Sequence, residues 1–153
     1  MRMKVFATPL VIGVLFCVAP AQERKINRSQ LPPAVEQTVA KESEGATIKG
    51  FATEVEHGQK LYEASLVVNG HTKGILIDRN GTIVEVEEQV AFDSLPADVK
   101  SGLQQKSASG KILKVESLTK HGKLAAYEAK VEANGKKKDI QVGPDGKALD
   151  HEE

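Results

Sequence analysis

The sequence predicts an α+β fold of two tandem repeats, each with one short helix packed on a four-stranded antiparallel sheet. The first observation is an internal repeat with a period of 64 to 65 residues, which aligns Leu31-Pro32 with Leu95-Pro96 and Tyr62-Glu63-Ala64 with Tyr127-Glu128-Ala129. The second is that turn-forming pairs recur within each copy. The third is that apolar residues alternate between those turns. Turn residues repeated at one period are typical of a duplicated structural unit.

Each predicted repeat begins with a short helix. A proline lies at its start, where the missing N–H costs no hydrogen bond. Apolar residues then recur with a spacing of four, as Val35 and Val39 in the first copy and Val99 and Leu103 in the second. Because helices this short do not persist alone in water, we expect each to pack on the sheet that follows it.

Tight turns divide the rest of each copy into strands. Asn-Gly between alternating segments is the strongest short hairpin signal. The turns of the two copies are His57-Gly58, Asn69-Gly70 and Arg79-Asn80-Gly81, and then His121-Gly122, Asn134-Gly135 and Pro144-Asp145-Gly146. We expect four strands in each copy, with residues 89–94 as a linker short enough to keep the copies in contact.

Alternation along the strands assigns their faces. The side expected to carry the helix contains Tyr62, Ala64, Leu66 and Val68 in the first copy, and Tyr127, Ala129, Val131 and Ala133 in the second. The opposite side is apolar only in the first copy. Since an apolar outer face is typical of an interface, we predict that it binds a partner, the other repeat or a second copy of the chain. The predicted contact residues are Leu61, Val67, Leu76 and Ile83.

Residues 1–21 are predicted to form a secretory signal peptide. Arg2 and Lys4 precede an apolar stretch over residues 5–18, and Ala19-Pro20-Ala21 has the small-x-small pattern of a cleavage site. A membrane anchor and a lipid-modified Cys17 are the alternatives, but the apolar stretch is shorter than the ~20 residues that cross a bilayer. We expect a periplasmic or secreted protein with an N-terminal lead over residues 22–30 and repeats over residues 31–90 and 91–153.

Composition excludes several classes of protein. The chain has 21 basic and 21 acidic residues without a dense basic run, which disfavours nucleic acid as a partner. Its one cysteine, Cys17, lies in the predicted signal peptide, so disulfides and thiol catalysis are not expected after cleavage. The serines lack a nucleophile-elbow pattern and the histidines lack paired-ligand spacing. We therefore expect neither an enzyme nor a cofactor.

The order of these elements resembles the PepSY-like domain, and more narrowly the β-lactamase-inhibitor-like, PepSY-like group of exported bacterial proteins. The resemblance covers roughly residues 31–149 and depends on the Leu-Pro helix start and on the His-Gly, Tyr-Glu-Ala and Asn-Gly motifs of both copies. It implies helix-on-sheet units used in tandem, with a binding or peptidase-inhibiting role in the cell envelope. Inhibitors of similar fold present an aromatic-rich concave sheet, whereas the aromatic residues after the signal peptide are Phe51, Tyr62, Phe92 and Tyr127.

The functional prediction is an exported, non-enzymatic module that binds a protein or peptide of the cell envelope, with inhibition or modulation of a peptidase or hydrolase as one form. The alternative is an envelope sensor or carrier of a divalent ion or small ligand. The residues considered for that role are His57, His71, His121, His151 and the acidic residues from Glu85 to Glu88. This acidic run is otherwise expected to be the solvated edge of a sheet. A homodimer through the apolar face is a third hypothesis.

Overall fold

All strands that the structure describes belong to one antiparallel sheet, in which the strand order follows the sequence from β1 to β8. The structure is a computed structural model and describes residues 23–56 and 58–151; the predicted signal peptide and His57 lie outside the described residues. The strands are β1 (Arg24–Ile26), β2 (Thr47–Glu56), β3 (Gln59–Val68), β4 (His71–Ile77), β5 (Ile83–Val90), β6 (Lys111–Lys120), β7 (Lys123–Ala133) and β8 (Lys136–Val142). The helices are α1 (Pro33–Glu42) and α2 (Ala97–Ser107).

The prediction of two helix-plus-four-strand repeats, each with its own sheet, was wrong. Strand β5, which ends the first copy, pairs with β6 of the second copy from Glu85 opposite Lys120 to Val90 opposite Val115. Alternation and turns specify where strands begin and end, but they do not specify which free edges pair. The two copies therefore share a single sheet.

The second copy also contributes three strands rather than four. Of its described residues, those after the turn at Gly146 form no strand. The corresponding part of the first copy, β5, contains Ile83, Val84 and Val86, whereas residues 147–150 are Lys-Ala-Leu-Asp without a β-branched side chain. The predicted N-terminal lead supplies an additional strand instead, because β1 pairs with β2 from Arg24 opposite Thr53 to Ile26 opposite Phe51.

Both helices pack on the same side of the sheet. In the first copy, Val35 and Val39 of α1 form a core with strand residues Tyr62, Ala64, Leu66, Ile75 and Ile77. In the second, Val99 and Leu103 of α2 form a core with Val115, Ala129, Val131, Ile140 and Val142. The predicted helix spacing and the predicted helix-bearing face are confirmed by these contacts. No helix within residues 23–56 and 58–151 is long and apolar enough to cross a membrane.

A turn glycine lies against the first turn of the helix in each copy. A Cβ added at Gly81 would stand 2.7 Å from the backbone oxygen of Ala34, and one added at Gly146 would overlap the backbone oxygen of Asp98. Both glycines have positive φ, +88° and +78°. The loop after the third strand of each copy is thereby held close to its helix, and only glycine fits there.

We expect Gly146→Ala to lower the free energy of unfolding by about 2 to 4 kcal/mol, because it adds a steric overlap to an unfavourable backbone conformation. Gly135→Ala is the matched control: its φ is +72°, but an added Cβ has no neighbour within 4 Å. This control should lose about 1 kcal/mol from the backbone conformation alone. Urea denaturation of the two variants measures the difference, and equal losses would show that the contact with Asp98 contributes nothing.

Candidate functional site

The side of the sheet opposite α1 and α2, here called the helix-free face, carries alternating leucines and glutamates. Leu76 of β4 lies in register between Glu63 of β3 and Glu85 of β5. One step along, Glu87 of β5 lies opposite Leu118 of β6. The pleat of each strand places these side chains on the same side, since residues two apart share a face.

The helix-free face is concave. A single cavity of about 280 Å³ is bordered by residues of every strand from β2 to β8. In a flat sheet, strands β2 and β8 would lie about 29 Å apart, because neighbouring strands are about 4.8 Å apart. One small cavity reaches all of them only if the sheet curls around it. This acidic cavity is lined by Glu23, Glu54, Glu56, Glu63, Leu76, Glu85, Glu87, Leu118, Glu128 and Gln141.

Three leucines form the floor of the concave face. Leu61, Leu76 and Leu118 are 3%, 6% and 2% exposed, although the helices pack on the other side of the sheet. Curvature and the stems of neighbouring glutamates shield these side chains in place of a covering element. The floor is thus apolar and the cavity above it is acidic.

Burial and mutual repulsion raise the pKa values of glutamates in the acidic cavity. Burial raises the pKa of Glu54 to about 7, with a further contribution from Glu56 and Glu63. Burial likewise raises the pKa of Glu87 to about 7, and the carboxylates of Glu116 and Glu85 add to the shift. The folded protein therefore holds these two carboxyl groups partly protonated at neutral pH.

For two other carboxylates of the face, a neighbouring side chain opposes the rise in pKa that burial causes. Burial raises the pKa of Glu85, but Lys120 opposes this shift from 3.3 Å. Burial also raises the pKa of Glu128, which accepts a hydrogen bond of 2.9 Å from Nε2 of Gln141. Within the described part of the chain, neither Glu54 nor Glu87 forms an ion pair. The negative charge at the centre of the face is thus incompletely balanced.

A second cavity of about 290 Å³ adjoins the acidic cavity at one end of the sheet, and the two share Glu56 and Glu85. His121 lines this second cavity, and its backbone N–H donates to the carbonyl of Val84 at 2.9 Å. This contact ties the turn between β6 and β7 to the start of β5. It extends the pairing of β5 with β6 by one hydrogen bond beyond Glu85 and Lys120.

Of the histidines and acidic residues considered for metal binding, those that the structure describes do not form a metal site. His71 follows the turn after β3 and His121 follows β6, which places them at opposite ends of the sheet. No group of three or more His, Cys, Asp or Glu within residues 23–56 and 58–151 could hold a metal ion. The expected solvated edge over Glu85–Glu88 was also wrong, because β5 is a central strand between β4 and β6.

The four predicted contact residues are not all brought together. Leu61 and Leu76 lie on the floor of the concave face. Val67 shares their face by alternation but lies toward the opposite end of β3, opposite Thr72. Ile83 packs against the core beneath α1, because the register shift between Leu76 and Ile77 places Ile83 opposite Ile77.

From the sequence alone, the glutamates and Leu118 were not predicted to be parts of one site. A usable signal was present in the glutamates spaced two apart, Glu54 with Glu56 and Glu85 with Glu87, which share a face in extended strands. The missing information was that β5 and β6 pair. That pairing places Leu118 of the second copy beside Glu87 of the first.

Several solved structures are similar to this chain in fold. No protein-family model matches the chain, and no curated protein matches it. A DUF2874-family protein from Bacteroides ovatus matches with a TM-score of 0.58 and 24% identity, over 77% of this chain and 84% of that one. A protein provisionally described as periplasmic, from Bacteroides eggerthii, matches with a TM-score of 0.61 and 20% identity, over 77% and 85%. A BLIP-like protein from Bacteroides fragilis matches with a TM-score of 0.54 and 22% identity, over 77% and 83%.

These similarities establish the fold. The chain shares the architecture of the DUF2874-family structures and of the BLIP-like protein. This is consistent with the inhibitor-like part of the resemblance seen in the sequence. Residue identities of 20% to 24% carry no activity from those proteins to this chain.

The acidic cavity predicts an unusual dependence of stability on pH. Since the pKa values of Glu54 and Glu87 are raised on folding, the folded state binds more protons than the unfolded state. The resulting penalty is absent below the ordinary value of 4.5 and grows until the pH exceeds about 7. We expect Glu87→Gln to raise the free energy of unfolding by about 1 kcal/mol at neutral pH, after allowance for solvent screening, and by less at about pH 5.

Urea denaturation of the parent chain and of Glu87→Gln between about pH 5 and pH 8 measures this difference. The control is Glu44→Gln, which removes an exposed carboxylate just after α1, on the other side of the sheet. A gain for Glu87→Gln that did not increase with pH would contradict the expected penalty.

Proposed function

We propose that this protein is an exported, periplasmic, non-enzymatic module that binds a protein or peptide on its concave helix-free face. The observation that carries the proposal is the concave acidic cavity of that face, which is lined by residues of every strand from β2 to β8 and which no helix of the described chain covers. A concavity in which polar groups with shifted pKa values converge is typical of binding sites.

Localisation is proposed from two sources. The predicted signal peptide over residues 1–21 directs the chain out of the cytoplasm. Provisional assignment of the Bacteroides eggerthii protein to the periplasm supports the same compartment. Membership of the PepSY-like group remains part of this proposal, and it is supported by the motifs of the sequence repeat.

The chemistry of the face supports binding rather than catalysis. The lining of the acidic cavity consists of glutamates, leucines and Gln141. None of those described residues carries a hydroxyl, thiol or imidazole group, so the nucleophiles typical of acyl-transfer enzymes are absent from this lining. A BLIP-like neighbour favours a modulator of another protein as one form of the proposed function.

Site-specific photocrosslinking tests the proposed face. Cleavage after residue 21 leaves no cysteine, so a single introduced cysteine can carry a photoreactive maleimide. We expect Thr72→Cys, exposed on the helix-free face, to crosslink one envelope protein, whereas Ser101→Cys, exposed on α2, crosslinks none. Mass spectrometry identifies the adduct, and the purified partner should bind the parent chain in calorimetry.

Leu76→Lys supplies the loss-of-binding variant. The new ammonium group would lie between Glu63 and Glu85, so we expect the chain to remain folded, as circular dichroism would show. Val67→Lys, at a half-buried position of the same face, is a second variant should the first unfold. Adducts that form equally in the Thr72→Cys and Ser101→Cys variants, or calorimetric binding that survives in both folded lysine variants, would contradict binding at this face.

A further inference from the structure

The charge of the concave face restricts what can bind there. Lys120 pairs with Glu85 and Lys114 pairs with Glu116, at 3.3 and 2.7 Å. The remaining glutamates of the cavity face one another across the curved sheet. A partner that brought only apolar groups would bury these carboxylates further without compensating them, which is costly for charged groups.

A second copy of this chain is a poor occupant of the face. A symmetric contact centred on the cavity would place one acidic cavity against another, and like charges in close contact oppose association. The apolar floor alone does not offset this repulsion, because the glutamates surround the leucines in register. The occupant must therefore carry positive charge.

We propose, on the basis of the proposed function, that the partner contributes a basic, extended polypeptide segment with lysine or arginine at alternate positions. Its cationic groups would pair with Glu54, Glu87 and their neighbours through charge-assisted hydrogen bonds. The spacing of the glutamates suits such a segment, because Glu54 and Glu56 of β2 are two residues apart, as are Glu85 and Glu87 of β5. Alternate side chains of an extended segment share the same separation of about 7 Å.

Protonation of glutamates on the face would weaken the binding of such a segment. Lowering the pH neutralises Glu54 and Glu87 and removes their attraction for lysine and arginine, so binding should weaken from about pH 8 to about pH 5.5. The charged groups on the helix-free face are, from β2 to β8, Glu54, Glu56, Glu63, Glu85, Glu87, Lys111, Lys114, Glu116, Lys120, Lys123, Glu128, Lys130, Glu132, Lys137 and Asp139, with Glu23 and Lys25 at the β1 edge.

Synthetic peptides test the proposal directly. The probe is a fluorescent decapeptide with five Lys-Thr repeats and blocked termini; the controls are five Glu-Thr repeats and a block peptide of five lysines followed by five threonines. At about pH 8 and about 50 mM salt, we expect fluorescence anisotropy to show that the alternating lysine peptide binds best. The double variant Glu54→Gln, Glu87→Gln should bind it about tenfold more weakly, whereas Glu44→Gln should match the parent.

Two outcomes would overturn the basic-segment proposal: no binding of the alternating lysine peptide, or equal binding by the parent and the double variant. Circular dichroism and urea denaturation of the double variant, which we expect to be at least as stable as the parent, separate lost binding from unfolding. The photocrosslinking result is independent of this test. If the Thr72→Cys variant captures a partner that binds the double variant normally, the face is still a binding site and only the basic character of the partner is wrong.

Discussion

The pairing of β5 with β6 is the interaction on which the rest of the structure depends. It joins the strands of the two sequence copies from Glu85 opposite Lys120 to Val90 opposite Val115. Without it each copy would be a small sheet with free edges, which expose unpaired backbone groups. With it, the sheet is long enough to curl, and residues distant in sequence line one cavity.

The curvature of the sheet forms the acidic cavity, but the carboxylates buried there lower the free energy of unfolding. The helices cover one side, so each half has an ordinary core, while the other side collects glutamates around Leu61, Leu76 and Leu118. Packing for stability alone would not bury Glu54 and Glu87 beside other carboxylates. Carboxyl groups with strongly raised pKa values cluster at functional sites, which makes this face the leading candidate for the function of the protein.

Local features were predictable because they depend on neighbours in sequence. The Asn69-Gly70 turn adopts positive φ at both residues, as a tight hairpin requires. Val35 and Val39 are buried as their spacing indicates. The prediction that Ile83 lies on the same face as Leu61 and Leu76 was wrong, because a register shift moved it to the other face, which alternation alone does not reveal. The prediction that the acidic run in β5 forms a sheet edge was wrong, because β5 pairs with β6 from the other copy.

By itself, the sequence determined the turns, the helix starts and the helix-bearing face of β3 and β7, since each of these follows from short-range spacing and residue type. The signal peptide over residues 1–21 stays a prediction. Only the tertiary structure decided that the copies share one sheet, that this sheet is concave, and that Glu54, Glu87 and Leu118 lie around one cavity. Edge pairing and curvature are set by the balance of hydrogen bonds and packing over the whole chain. No local pattern contains that balance.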